Sequence, residues 1–176
     1  SSTQLSSRRP RSPSPPLLSV FCPLPSTMAA TVATSALTLE GAMKVAKAGV
    51  LEAEKQGFKV TVAVCDAGGH VLSLLRMDGA MPVSAEVAEG KARSAVMFAR
   101  ETKLLEGSVN GEKSQGGERA ALLSSGYVLM EGGIPIIDPA HGKIIGACGV
   151  SGVKPHEDAA VAAAAVASLT SGTSKL

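Results

Sequence analysis

The chain of 176 residues carries 17 basic and 15 acidic side chains, only 2% of it is aromatic, and Trp is absent. That length supports one domain with a substantial core, here built from Ala, Val, Leu and Ile. A body so near neutral and so poor in rings lacks the basic, stacking surface of a nucleic-acid binder, and no apolar run approaches the roughly 20 residues of a membrane-spanning helix.

Residues 1–36 hold Arg8, Arg9 and Arg11 among Ser and Pro, with no acid. Such a composition cannot bury enough surface to offset chain ordering, which predicts a disordered tail. It reads either as an organellar transit peptide, implying a plastid or another organelle, or as upstream sequence translated ahead of a start at Met28. The second reading leaves a cytoplasmic protein. The domain then spans 37–170, with 171–176 as a flexible C-terminus. Cys22, Cys65 and Cys148 form no close pair and no metal-ligand spacing, so the last two read as reduced core residues.

Thr38 is placed to cap a helix over "LEGAMKVAKAGVLEAEKQG", whose Leu39, Met43, Ala46, Val50 and Ala53 recur at helical spacing. Gly57 is placed to end it. "FKVTVAVCD" and "HVLSLLRMD" read as strands joined by the Ala67-Gly68-Gly69 turn. After Pro82, "VSAEVAEGKARSAVMFARET" returns to a helical period. Residues 106–119 read as a long polar loop of the kind that is often functional. Three strand-like runs follow, "GYVLMEG", "GIPIID" and "KIIGACGVSG", and Pro155 opens a last helix with Glu157 and Asp158 near its N-terminus. The order α-β-β-α-loop-β-β-β-α predicts an α+β domain, a mainly antiparallel five-stranded sheet flanked by helices.

Several residues have chemistry to offer. His70, just past the glycine turn, is a candidate iron ligand or proton carrier. Arg76 and Lys91 could meet a carboxylate, Arg through its planar fork. Gly68, Gly69, Gly132 and Gly133 permit turns or the close approach of a flat ligand. Glu101 is a candidate base. Glu86 and Glu89 share a helix but make a poor metal site, so no metal site is assigned. His141 and His156 read as solvated or capping residues; Met77, Met81 and Tyr127 could ligate iron, but the sequence does not bring them together.

The segments "VAVCDAGGHVLSLLRMDGA", "KARSAVMFARET", "GGIPI" and "GKIIGACGVSG" with the following Glu-Asp resemble, in order and over residues 37–169, the GlcG/HbpS-like haem-binding family. That family also includes the C-terminal domain of PduO. The resemblance implies an antiparallel sheet flanked by helices, a symmetric homo-oligomer, and binding of haem or a related tetrapyrrole with a haem-handling or redox-sensing role. It places Thr102 where a family member's threonine ligates haem iron. The cofactor-binding set is then Thr102, His70, Arg76, Lys91, Gly132 and Gly133, with Arg76 and Lys91 meeting propionates. Within 37–169 the rings are Phe58, Phe98 and Tyr127 alone, and no C-x-x-C-H signature offers covalent attachment, so binding is expected to be reversible. Two other readings remain open. One is a cofactor-independent enzyme acting on a small organic acid or metabolite, with Arg76 as anchor and Glu101 or His70 moving protons. The other is an oligomeric structural or interaction protein.

Overall fold

In a computed structural model of the chain, which describes residues 34–110 and 125–170, Thr38 caps α1 (Leu39–Lys55) with its hydroxyl accepting the Gly41 amide at 3.1 Å. Gly57, at φ +71°, ends the helix in the left-handed conformation that glycine adopts without strain. β1 (Thr61–Asp66) and β2 (Val71–Arg76) form the expected hairpin. Its turn is fixed by the Asp66 carboxylate, which accepts the Gly68 amide at 2.8 Å and the His70 amide at 2.9 Å. The remaining elements are α2 (Ser84–Met97), α3 (Thr102–Asn110), β3 (Gly133–Ile137), β4 (Ile144–Ser151) and α4 (Pro155–Ala167). The expected N-terminal tail with Cys22, most of the expected 106–119 loop and the C-terminal 171–176 lie outside the described residues.

Among the described residues the strands make one antiparallel sheet in the order β2-β1-β4-β3, four strands where the sequence suggests five. "GYVLMEG" is the difference. Its amides bond to side chains instead of a ladder: Val128 N–H donates to Ser94 Oγ at 2.8 Å and Glu131 N–H to Glu106 Oε2 at 2.7 Å. Gly126 (φ +80°) and Gly132 (φ +124°) bend the run at both ends. The helix expected over 83–102 is also two helices. The chain reverses at Ala99, a non-glycine residue at φ +53°, and restarts at Thr102, so that threonine begins a helix instead of ending one.

Alternation along the strands sends neighbouring side chains to opposite faces. Val62, Val64, Cys148 and Val150 pack with Val45, Ala46 and Ala53 of α1 and Val161, Ala162 and Ala165 of α4. Cys65 and Ala147 pack with Ala92, Ala95 and Val96 of α2 on the other face. Each buried Val contributes about 1.5–3 kcal/mol. Small residues let α2 lie directly on β4: a Cβ on Gly149 would strike the Ala88 carbonyl and come within 2.5 Å of Ala92 N. The two cysteines lie on opposite faces, and burial pushes the Cys65 thiol up to about 11 and the Cys148 thiol up to about 12. Both therefore stay neutral near pH 7. Among the described residues no helix is long and apolar enough to cross a membrane.

The β3–β4 turn carries a pH-sensitive contact. Asp138 Oδ2 lies 2.6 Å from His141 Nδ1, and Asp138 Oδ1 accepts the Ala140 amide at 3.0 Å. The His141 bond first, and the amide second, hold the carboxyl down from 3.8 to about 2. A depressed folded value means stability that is present above the unfolded value and lost as pH falls through the folded one. Asp138→Asn is therefore expected to flatten the acid limb of stability between pH 3.8 and about 2, read as urea midpoints at stepped pH. An unchanged limb would show that other carboxylates set it.

Candidate functional site

Four of the six residues expected to bind a cofactor meet in one buried cluster. Lys91 reaches from α2 through the interior, its Nζ 2.7 Å from Asp158 Oδ2 on α4 and donating to the Val150 carbonyl at 3.0 Å. Asp158 Oδ1 accepts the Val153 amide at 3.2 Å. Burial raises the Asp158 carboxyl above its ordinary value, against the lowering effect of Lys91. Gly132 and Gly133 thread past this pair with no room for side chains. A Cβ on Gly132 would sit 2.8 Å from Lys91 Nζ; one on Gly133 would sit 2.5 Å from the Lys91 carbonyl and 2.7 Å from Thr102 Cγ2.

Thr102 is fully buried, and its hydroxyl accepts the Gly133 amide at 2.8 Å. The reason lies in the sheet. β3 is an edge strand, and while Gly132 turns its carbonyl to Val150 N–H at 2.9 Å, Gly133 turns its amide away from β4. Thr102 covers that amide, and Pro135, two residues on, has none to expose. The cluster is thus a packed latch. The carboxylate that Lys91 meets belongs to its own chain, and the Thr102 hydroxyl is committed to Gly133.

The other expected residues lie elsewhere. His70 is exposed at the hairpin turn. Arg76 is at the far end of β2, about 20 Å along a six-residue strand, and donates to the Ala80 carbonyl at 3.2 Å. Glu101 is exposed beside Thr102. Tyr127 packs edge-on against Phe98, with ring centres 5.3 Å apart. Glu89 is paired with Arg93 at 3.2 Å, His141 with Asp138, and His156 is exposed. Among the described residues no group of three or more His, Cys, Asp or Glu could hold a metal. The residue that sequence reasoning missed is Asp158, read only as an acid at a helix N-terminus. Nothing local links it to a lysine 67 residues earlier.

Beside the latch runs a groove of about 440 Å³, lined by Leu104, Pro135, Ile137 and Ile144 with Arg100 and Glu101. That volume lies within the range of small-ligand sites. Leu104 and Ile137 are 62% and 55% exposed, high for such side chains. A larger concavity, about 770 Å³, follows the outer face of α1 past Leu39, Met43, Lys44, Lys47 and Leu51, and touches none of the expected residues.

An antiparallel sheet clasped between helices, with a glycine latch beside an aliphatic edge groove, defines an α+β domain. More narrowly, the chain belongs to the HbpS-like family, whose sequence model, described as haem degrading protein HbpS-like, matches residues 37–167. Protein GlcG of Escherichia coli K12 is 43% identical over 115 residues, 65% of this chain and 81% of its own length. A double mutant of Streptomyces reticuli HbpS superimposes with a TM-score of 0.69 at 33% identity, covering 84% of this chain and 96% of the other. The crystal structure of a PduOC–haem complex does so with a TM-score of 0.70 at 28% identity, covering 76% and 95%.

Proposed function

We propose that this protein binds haem reversibly in the groove between α3 and the β3 edge. The observation that carries the reading is the make-up of that groove. Leu104, Pro135, Ile137 and Ile144 offer an aliphatic wall for a flat macrocycle, and Arg100 offers a guanidinium for a propionate. Among the described residues no His, Cys, Met or Tyr lines it, so none of them supplies a usual strong iron ligand. The oxygens at hand are the exposed Glu101 carboxylate and, if it leaves Gly133, the Thr102 hydroxyl. Weak coordination of this kind suits an exchangeable ligand. Membership of a family described by haem degradation, and a haem complex of a structural relative, support the same reading. Bound haem would supply the redox chemistry of its iron, fitting a haem-handling or redox-sensing role.

Haemin titrated into the full chain is expected to give a saturable Soret band. Hydrogen bonds to charged groups contribute about 1.5–3 kcal/mol, so Arg100→Glu should weaken binding about tenfold or more. Leu104→Glu should act in the same direction, while Met43→Glu on the outer face of α1 should leave it unchanged. No saturable band from folded protein would overturn the reading; sensitivity at Met43 alone would move the site to α1. Glu101→Gln and Thr102→Val, compared by the shape of the band, assign the oxygen ligand. The exposed Leu104 and Ile137 favour a groove completed by a second copy in a homo-oligomer, which mass measurement with and without haemin tests. The cytoplasm is the compartment this reading favours, with an organelle as the alternative if residues 1–36 act as a transit peptide.

A further inference from the structure

We infer that Lys91 and Asp158 are positioning residues for the groove, setting its ligand affinity through the Gly132–Gly133–Thr102 latch without touching the ligand. The inference rests on the haem reading for the identity of the ligand. Its geometry stands on the latch alone. The two walls of the groove come from different parts of the chain: Ala99–Leu104 on one side, Pro135, Ile137 and Ile144 on the other. They join at the bond from Gly133 N–H to Thr102 Oγ1, 2.8 Å long. Outside that buried bond, the same join is held by the ion pair of the exposed Lys103 with the half-buried Glu131 at 3.1 Å and by Glu106 on the Glu131 amide at 2.7 Å.

Gly133 is held at that bond by what lies behind it. Gly132 stands at φ +124°, a conformation open to glycine and strained for other residues, in surroundings that leave no room for a side chain. Those surroundings are Lys91 Nζ, the Asp158 side chain and the Val150 carbonyl, each within 3 Å of the Cβ that Gly132 lacks. Val150 is shared: its carbonyl accepts from Lys91 at 3.0 Å and its amide donates to Gly132 at 2.9 Å. The ion pair therefore ties α2, α4 and β4 to the one glycine that aims Gly133 at Thr102. Stability alone does not call for such a pair, since apolar side chains of similar volume often replace a buried ion pair without loss.

Removing both charges at nearly constant volume separates the two roles. The variant carrying Lys91→Met and Asp158→Asn, whose amide oxygen still accepts the Val153 N–H, is compared with the wild type by thermal midpoint, by exchange of the Gly133 amide, and by haemin titration. The expected result is a midpoint that is kept or raised and a Gly133 amide that exchanges about tenfold faster, reflecting partial opening of the latch. Haem affinity should fall about fivefold or more, with a displaced Soret maximum. Gly133 exchange and haem affinity both as in the wild type would overturn the inference. If the double variant fails to fold, Lys91→Met alone, which leaves a buried Asp158 carboxyl able to keep its proton, is read in the same way: Gly133 exchange should quicken and haem affinity should fall. Both as in the wild type would overturn the inference. If the wild type takes up no haemin, the haem reading falls, and Gly133 exchange in the variants still decides whether the ion pair governs the latch.

Discussion

Gly149→Ala is expected to cost about 3 kcal/mol or more of folding stability, at the upper end of overpacking substitutions. Gly149 lies in β4 opposite both Ala63 and Gly133, and α2 crosses directly above it. An added methyl would meet the Ala88 carbonyl and Ala92 N, the latter at 2.5 Å. Neither is the end of a flexible side chain, so α2 must move as a body. That movement would lift Ala92 and Ala95 from Cys65 and Ala147. Urea unfolding followed by circular dichroism measures the loss. Gly107→Ala is the contrast: it lies in α3, a Cβ there meets nothing within 4 Å, and a gain of about 0.5–1 kcal/mol is expected. Equal effects at the two positions would mean that α2 is not seated on β4 as described.

Asp158→Ala is expected to cost about 3–5 kcal/mol, because it leaves a buried ammonium with no counter-charge. The Lys91 and Asp158 side chains are only 1% and 3% exposed, so water cannot take the place of the lost carboxylate. The Val153 amide loses its acceptor at the same time. For a domain of this size the thermal midpoint should drop by about 10 °C or more. Adding Lys91→Met to the Asp158→Ala protein should recover much of the loss by removing the stranded charge. A midpoint that falls equally in the single and double variants would show that the missing volume, and not the charge, was responsible.

The parts of the fold legible in the sequence are those whose signals are local. Thr38 and Gly57 mark the ends of α1, the Asp66–Gly69 turn marks the first hairpin, and Pro155 marks the start of α4. The misread parts depend on distant partners. "GYVLMEG" has the residues of a strand, yet Ser94 and Glu106 supply its bonds from α2 and α3. The break at Ala99 has no glycine or proline to announce it. α3 is nine residues long and leads into a polar stretch, which hid its helical period. At the candidate site the sequence singled out Lys91, Thr102, Gly132 and Gly133, and these do meet. Their contacts with one another could not be read, because Val150 and Asp158 complete the cluster from 59 and 67 residues beyond Lys91.

The margins of the sheet carry a consequence for how copies of this chain can meet. On β3 the outward amide at Gly133 is occupied by Thr102, and Pro135 withholds the next. On β2 a bulge opposite Val64 and Cys65 throws the outer backbone out of step. Neither border offers the regular row of donors and acceptors that an incoming strand would need. If copies assemble, the contact is expected to run through side chains on helices and groove walls, and the same bonds that shape the pocket guard a concentrated solution against fibrous stacking.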